Sequence, residues 1–251
     1  MFKQVALTTL ICLVSAGLFG GYFYHVGKEV GARVYPCRNV EVIVVDSLEN
    51  SLISEADVLE RLDRWLDTSC IDSIDLHTME MMVSSFGEVS HAEVFKKDST
   101  SLRIELSQRK PAVRFLSEGS SYYADSDGYL FPVYKATDVP LITGSVPTPP
   151  ADSFKGYLTE KEQDWVRAAV NFALFVDSDS YWRRQIQQID STPGGDLVLY
   201  TNAGDEKIIF GPPTDIAEKF GKLKAYYKSI VPSKGAYKTV NLKYKNQIIC
   251  N

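Results

Sequence analysis

The chain has 251 residues, 45% of them hydrophobic, with a formal net charge of −5, which is enough apolar material for one large folded domain or two small ones. An acidic balance excludes sequence-independent nucleic-acid binding, which needs a basic surface to displace counterions, so no nucleic-acid partner is expected. The charge is uneven: from Tyr35 to Ser107 fifteen acids face six bases, whereas from Gly211 onward eight lysines face only Asp215 and Glu218, so two units with different surfaces are expected.

Between Gln4 and Gly27 no side chain is acidic or basic apart from His25. A helix of that length crosses ~30 Å of hydrocarbon. The reading is a transmembrane helix over residues 5–27 behind a cytoplasmic tail of residues 1–4, with the remainder exported. Lys3 precedes the run while Lys28, Arg33 and Arg38 follow it, so the positive-inside rule does not orient it; the short tail does, because it inserts as a signal sequence would. A cleaved signal peptide is the competing reading. Val14, Ala16 and Gly17 offer small residues near a cut, but Leu18, Phe19, Tyr22, Phe23 and Tyr24 carry the apolar character past it. Cys12 lies in the run. Cys37, Cys70 and Cys250 are left, with a spacing that matches no metal site; a Cys37 to Cys70 bridge and free thiols are both open.

Val40 to Asp46 is a β-branched run of strand length. Ser54 and Asp57 form a capping box ahead of a helix whose inner face reads Val58, Leu59, Leu62, Trp65 and Leu66. Asp75 caps a second helix, with Ile74 placed to staple Met79 and an inner face of Leu76, Met79, Met82, Val83 and Phe86; these methionines are core, not ligands. Two strands follow, Val89 to Lys97 and Ser101 to Ser107, the second alternating Leu102, Ile104 and Leu106 with polar residues. The junction reads Gln108-Arg109-Lys110-Pro111-Ala112. After it come an aromatic hairpin, Tyr122 to Phe131, turning at Asp127-Gly128, and the step Val139-Pro140-Leu141-Ile142-Thr143-Gly144.

Thr159 and Glu162 form another capping box, opening a helix with Trp165, Val166, Ala169, Phe172 and Val176 inward. Strands at Gln185 to Asp190 and Asp196 to Thr201 are joined through Pro193-Gly194-Gly195, and Lys207 to Phe210 is a further short strand. Thr214 is expected to cap a last helix burying Ile216, Phe220, Leu223, Tyr227 and Ile230, with Lys219, Lys222 and Lys228 mainly on the other face. Tyr237 to Ile249 reads as one closing strand. Val240, Leu242, Tyr244 and Ile248 share one face, and Thr239, Asn241, Lys243, Lys245 and Gln247 the other.

Catalysis finds no support in pattern. The histidines are His25, His77 and His91, and no zinc-protease, P-loop, nucleophile-elbow or dinucleotide motif is present. Asp125-Ser126-Asp127-Gly128 begins as a calcium loop does but lacks the third acid and the closing glutamate, so an Asp-Gly turn explains it better. No enzyme activity, no cofactor, no metal and no catalytic residue are expected.

The order strand, helix, helix, strand, strand after a membrane anchor resembles the POTRA (polypeptide-transport-associated) domain. Gln108 to Ala112 is similar to the polar-Arg-x-Pro-Val/Ala step that follows POTRA in the bacterial cell-division family FtsQ/DivIB. The segments Tyr122 to Phe131 and Val139 to Gly144 resemble that family's next elements, and Val240 to Ile249 resembles its closing Val-Asp-Leu-Arg-Tyr strand, with Asn241 for Asp and Lys243 for Arg. The resemblance implies an α+β chain: a transmembrane helix, a POTRA domain over 38–108 and an FtsQ-type β domain over 109–251. It implies a non-enzymatic scaffold of the division septum, single-pass in the inner membrane with its bulk periplasmic. The closing strand would receive a strand from FtsB, which associates with FtsL, at Val240, Leu242, Lys243, Tyr244, Lys245, Asn246, Gln247 and Ile248. FtsK, FtsW and the septal peptidoglycan synthase are further implied partners. Two alternatives are a periplasmic enzyme released by signal cleavage and a POTRA-bearing transport or outer-membrane-assembly component.

Overall fold

The computed structural model describes residues 14–27, 39–46, 51–66, 73–117 and 119–251. Helix α1 runs through residues 14–27 with its side chains exposed. Residues 1–13, which hold the expected tail, the first part of the expected span and Cys12, lie outside the described residues, as do Cys37 and Cys70. Among the described residues no helix is long and apolar enough to cross a membrane. The described residues divide into two compact units, one drawn from within 1–45, 54–84 and 91–106 and the other from within 46–53, 85–90 and 107–251.

The first unit carries β1 (Asn39–Val44), α2 (Glu55–Leu66) and α3 (Leu76–Ser84), and most of β2 (Val89–Lys96) and β3 (Ser101–Gln108). The sheet order is β1-β3-β2, with β1 parallel to β3. Ser54 caps α2 as its sequence predicts: Ser54 Oγ accepts from the Asp57 amide at 3.3 Å while Asp57 Oδ2 accepts from the Ser54 amide at 2.8 Å. Asp75 Oδ1 takes the His77 and Thr78 amides of α3, and the hydrogen bonds from Thr78 hold its carboxyl below the usual aspartate range. Val58, Leu62, Met79 and Val83 of the helices are buried, as are Leu102, Ile104 and Leu106 of β3. Trp65 is not. It is 51% exposed, because the buried stripe of α2 is narrower than its apolar spacing suggests.

The second unit is built on a nine-stranded mixed sheet in the order β12-β11-β10-β9-β8-β7-β4-β5-β6. Its strands are β4 (Pro111–Ser117), β5 (Ser120–Asp125), β6 (Leu130–Pro132), β7 (Leu141–Gly144), β8 (Ile186–Ser191), β9 (Leu197–Thr201), β10 (Gly204–Gly211), β11 (Thr239–Asn241) and β12 (Ile249–Cys250). Helices α4 (Glu160–Ser178) and α5 (Ser180–Gln185) form the crossover between parallel β7 and β8. The crossover between parallel β10 and β11 is α6 (Ile216–Ala225), a π-helical turn over Tyr226–Ile230, and α7 (Val231–Lys234). The main core joins Phe115, Ile142, Ile189, Leu199 and Phe210 of the sheet to Val166 and Phe172 of α4 and Phe220 and Leu223 of α6. Tyr123 and Phe131, alternating with Tyr122 and Leu130, point to the opposite face and pack with Leu52.

Several local expectations need correction. Thr159 precedes α4, but its hydroxyl bonds the Glu162 carboxylate at 2.6 Å and makes no side-chain cap bond to the helix. Asp215, not Thr214, occupies the N-cap of α6, in a left-handed conformation at φ 50°. Lys219, placed on the outer face by periodicity, is 4% exposed: its ammonium lies 4.8 Å from the Phe210 ring centre and donates to the Pro212 carbonyl at 2.7 Å. Burial pulls its pKa down. The Asp125 turn is confirmed. Gly128 takes φ +78°, Asp125 Oδ1 accepts the Asp127 and Tyr129 amides, and Oδ2 pairs with Arg109 at 2.7 Å, so that carboxylate is committed to the turn.

Gly144 ends β7 at φ +89°, and a Cβ there would sit 2.5 Å from the Ser191 carbonyl oxygen. Both backbones are held, since Ser145 donates to that same carbonyl at 2.8 Å. Gly144→Ala should therefore cost about 1–3 kcal/mol in strain, measured as a fall in the denaturant midpoint of this unit.

A candidate docking edge at the terminal hairpin

The segment expected as one long strand is a hairpin. β11 ends at Asn241, residues 242–248 turn, with Asn246 at φ +60°, and β12 returns antiparallel with Val240 opposite Cys250 and Asn241 opposite Ile249. The alternation Val240, Leu242, Tyr244 runs across the end of β11, and the asparagine that tolerates a left-handed φ reverses the chain. β11 is paired on both sides, parallel to β10 and antiparallel to β12. Among the described residues, the open flank belongs to β12.

Alternation along the ladder decides which backbone groups face out. Thr239 and Asn251 exchange both hydrogen bonds, at 2.9 and 3.0 Å, so the pair Val240 and Cys250 is of the non-bonded kind. The N–H and C=O of Cys250 therefore point away from β11, into the flank. At the far end of the sheet the rim is covered: Leu130 exchanges both hydrogen bonds with Gly156, and Pro132 has no N–H to offer.

The eight residues expected to receive a partner fall in three places. Val240 and Leu242 are 0% exposed and belong to the core. Lys243, Tyr244, Lys245, Asn246 and Gln247 form the exposed turn, and Ile248 is half-buried against the core. Ile249 and Cys250, absent from that set, are the outermost strand. Asn246 is the signal that could have found them.

The turn is clamped at its base. Lys243 Nζ reaches Asp196 at 2.5 Å, a contact that raises the lysine's pKa, and its amide donates to Asn241 Oδ1. Lys222 Nζ donates to the Tyr244 carbonyl and pairs with Glu218, both at 2.8 Å. The Lys222 hydrogen bond holds the Glu218 carboxyl below the usual glutamate range. Its stabilising contribution is present above the unfolded pKa and is lost as pH falls through the folded one. In a carboxyl NMR titration, Lys222→Ala should move the Glu218 midpoint upward, towards the ordinary value.

His91 Nε2 lies 3.3 Å from Glu93 on an exposed strand face, and His77 is exposed in the first turn of α3. Among the described residues, no cluster of three or more His, Cys, Asp or Glu could hold a metal ion.

A small three-stranded unit with two helices, followed by a large mixed sheet ending in a hairpin, defines an α+β architecture. A family described as POTRA-like domain matches residues 35–107, and one described as FtsQ/DivIB, C-terminal related, matches residues 110–251. The second match covers more than half of the chain, which belongs to the FtsQ/DivIB family. That family is one of non-enzymatic cell-division proteins of the division-site membrane. No curated protein matches the chain.

Proposed function

We propose that the chain is an inner-membrane scaffold of the division septum that captures a strand of FtsB, together with FtsL, on the open flank of β12 and so helps to control the septal peptidoglycan synthase. The observation that carries this reading is the outward-facing backbone of Cys250 at the end of a nine-stranded sheet. An unpaired edge accepts a further strand through backbone hydrogen bonds, with alternate side chains providing selectivity. Tyr244, 48% exposed, and Ile249, 37% exposed, flank it with apolar surface. The basic balance from Gly211 onward favours an acidic strand and discourages a second copy of the same lysine-rich edge.

In this reading the anchor is the apolar run at residues 5–27, with the bulk of the chain periplasmic, and the acidic POTRA-like unit is left to other membrane partners such as FtsK and FtsW. Binding of purified FtsB to the full chain tests the docking step. Saturable binding that weakens about tenfold or more in Cys250→Pro is expected; binding indifferent to that change would overturn it.

A further inference from the structure

Lys243 is the second residue of the turn that follows β11, and it belongs to the set expected to meet a partner. The structure sends it elsewhere. Its Nζ lies 2.5 Å from Asp196 Oδ2, 47 residues away in the chain. Asp196 closes the turn between β8 and β9, and its backbone is fixed on both sides: its carbonyl accepts the Thr192 amide at 2.9 Å and its amide donates to Thr192 Oγ1 at 3.2 Å. The preceding carbonyl, that of Gly195, accepts the Trp165 indole N–H at 2.9 Å and ties the same turn to α4. The lysine therefore reaches a rigid anchor. Its stem also has a close fit on the way, because Gly211, the last residue of β10, takes φ +82° and a Cβ on it would sit 2.6 Å from Lys243 Cγ and 3.4 Å from its Cβ and Cδ. A solvated lysine needs no such bare backbone beneath it.

The residues on either side of Lys243 are held as well. The Leu242 amide donates to the Ile209 carbonyl at 2.9 Å, and Lys222 Nζ donates to the Tyr244 carbonyl at 2.8 Å. Residues 242–244 are thus bound in succession to β10, to the turn between β8 and β9, and to α6. Lys245 to Ile248 then lead into β12, which is two residues long and, among the described residues, pairs with β11 alone. So short a ladder does little to fix its own position. Where β12 lies is set by where the turn is anchored.

We propose that Lys243 is a positioning residue for the docking edge and not a contact for the partner: seated on Gly211 and paired with Asp196, it pre-organises the turn so that the outward backbone of Cys250 is already in place when a strand arrives. Binding is then spared the ordering of that turn, which is how pre-organisation raises affinity. Asp196 and Gly211, both distant from the edge in sequence, become part of the docking site. The effect on docking rests on the docking reading above, whereas the ordering of the turn is measurable without any partner.

A double-mutant cycle on the full chain tests it, with FtsB affinity read by calorimetric titration and the order of the hairpin by hydrogen exchange of the Asn251 amide, which donates to the Thr239 carbonyl at 3.0 Å. Lys243→Met keeps an apolar stem and removes the charge; Asp196→Asn removes the opposite charge and leaves the lysine. Each should weaken FtsB capture and speed Asn251 exchange by about two- to fivefold, and the double variant should be no worse than the worse single, while amides of β4 and β7 keep their rates. A lysine that instead met an acidic partner gives a different cycle: Lys243→Met weakens capture, but Asp196→Asn frees the ammonium and leaves capture unchanged or tighter. That result overturns the proposal. If either single change loosens the whole unit, the reversed pair decides. Lys243→Glu joined to Asp196→Lys rebuilds the ion pair with its charges exchanged, and should recover the exchange rate and the capture lost in either single change; failure to recover the exchange rate overturns the proposal. Asn251 exchange that is unchanged in both single variants overturns it whatever FtsB does. Coupled effects on exchange in a chain that takes up no FtsB would leave the ordering standing and count against the docking reading alone.

Discussion

Phe220→Ala should be the most destabilising single truncation in the second unit, by about 3–5 kcal/mol. Phe220 is 2% exposed and stands among Phe172, Phe175, Trp182 and Phe210, with ring centres 5.7, 5.0, 4.7 and 5.2 Å away. Those four rings come from α4, α5 and β10, so Phe220 ties α6 to both crossover helices and to the sheet at once. Rings cannot collapse into the void as aliphatic side chains do, because their planes are already set by one another. For a unit of this size the loss corresponds to a fall in melting temperature on the order of 10 °C. Scanning calorimetry checks it, and a change of less than ~1 kcal/mol would show that α6 is held by something other than this cluster.

Cys250→Pro should weaken FtsB capture about tenfold or more while the fold survives. Proline removes the outward N–H and puts its ring where an incoming backbone would lie; the hydrogen bond alone accounts for about 0.5–1.5 kcal/mol. The internal ladder is spared, because β12 pairs with β11 through its neighbours Ile249 and Asn251. Leu242→Pro is a worse probe of the same question. The Leu242 amide donates to the Ile209 carbonyl at 2.9 Å, so proline there breaks the join between β10 and β11 and leaves that carbonyl orphaned. Deleting Tyr244 to Asn251 is ambiguous too: stripping β12 turns β11 itself into a fresh edge. Calorimetric titration of the Cys250→Pro chain against FtsB, beside a melting curve, separates lost docking from lost folding.

The contrast between these variants shows what was legible in the residues and what was not. Some local devices were readable because they act within one turn: the Ser54 to Asp57 box, the Asp75 cap and the Asp127-Gly128 turn stand where their chemistry places them, whereas Thr159 makes no cap bond and Asp215 displaces Thr214 at the N-cap of α6. The POTRA-like and FtsQ/DivIB stretches were legible from the order of short motifs. The order of nine strands was not, since pairings such as β4 with β7 and β10 with β11 join segments separated by whole crossovers. Lys219 shows a different failure. Periodicity assigns an ammonium to water, whereas its long apolar stem can lie along a buried ring while the charge finds a carbonyl. At the candidate site, period-two alternation continued through a reversal, so the strand was drawn too long and the outermost pair, Ile249 and Cys250, was overlooked.

The bond between Leu130 and Gly156 has a bearing on stoichiometry. A sheet that can grow at both margins can polymerise, each copy templating the next. Here one margin is stitched shut and the other is narrow, lysine-bordered and only two residues wide. Under the proposed docking, growth by this route stops after a single addition, whereas a sheet open at both margins would go on to build a filament.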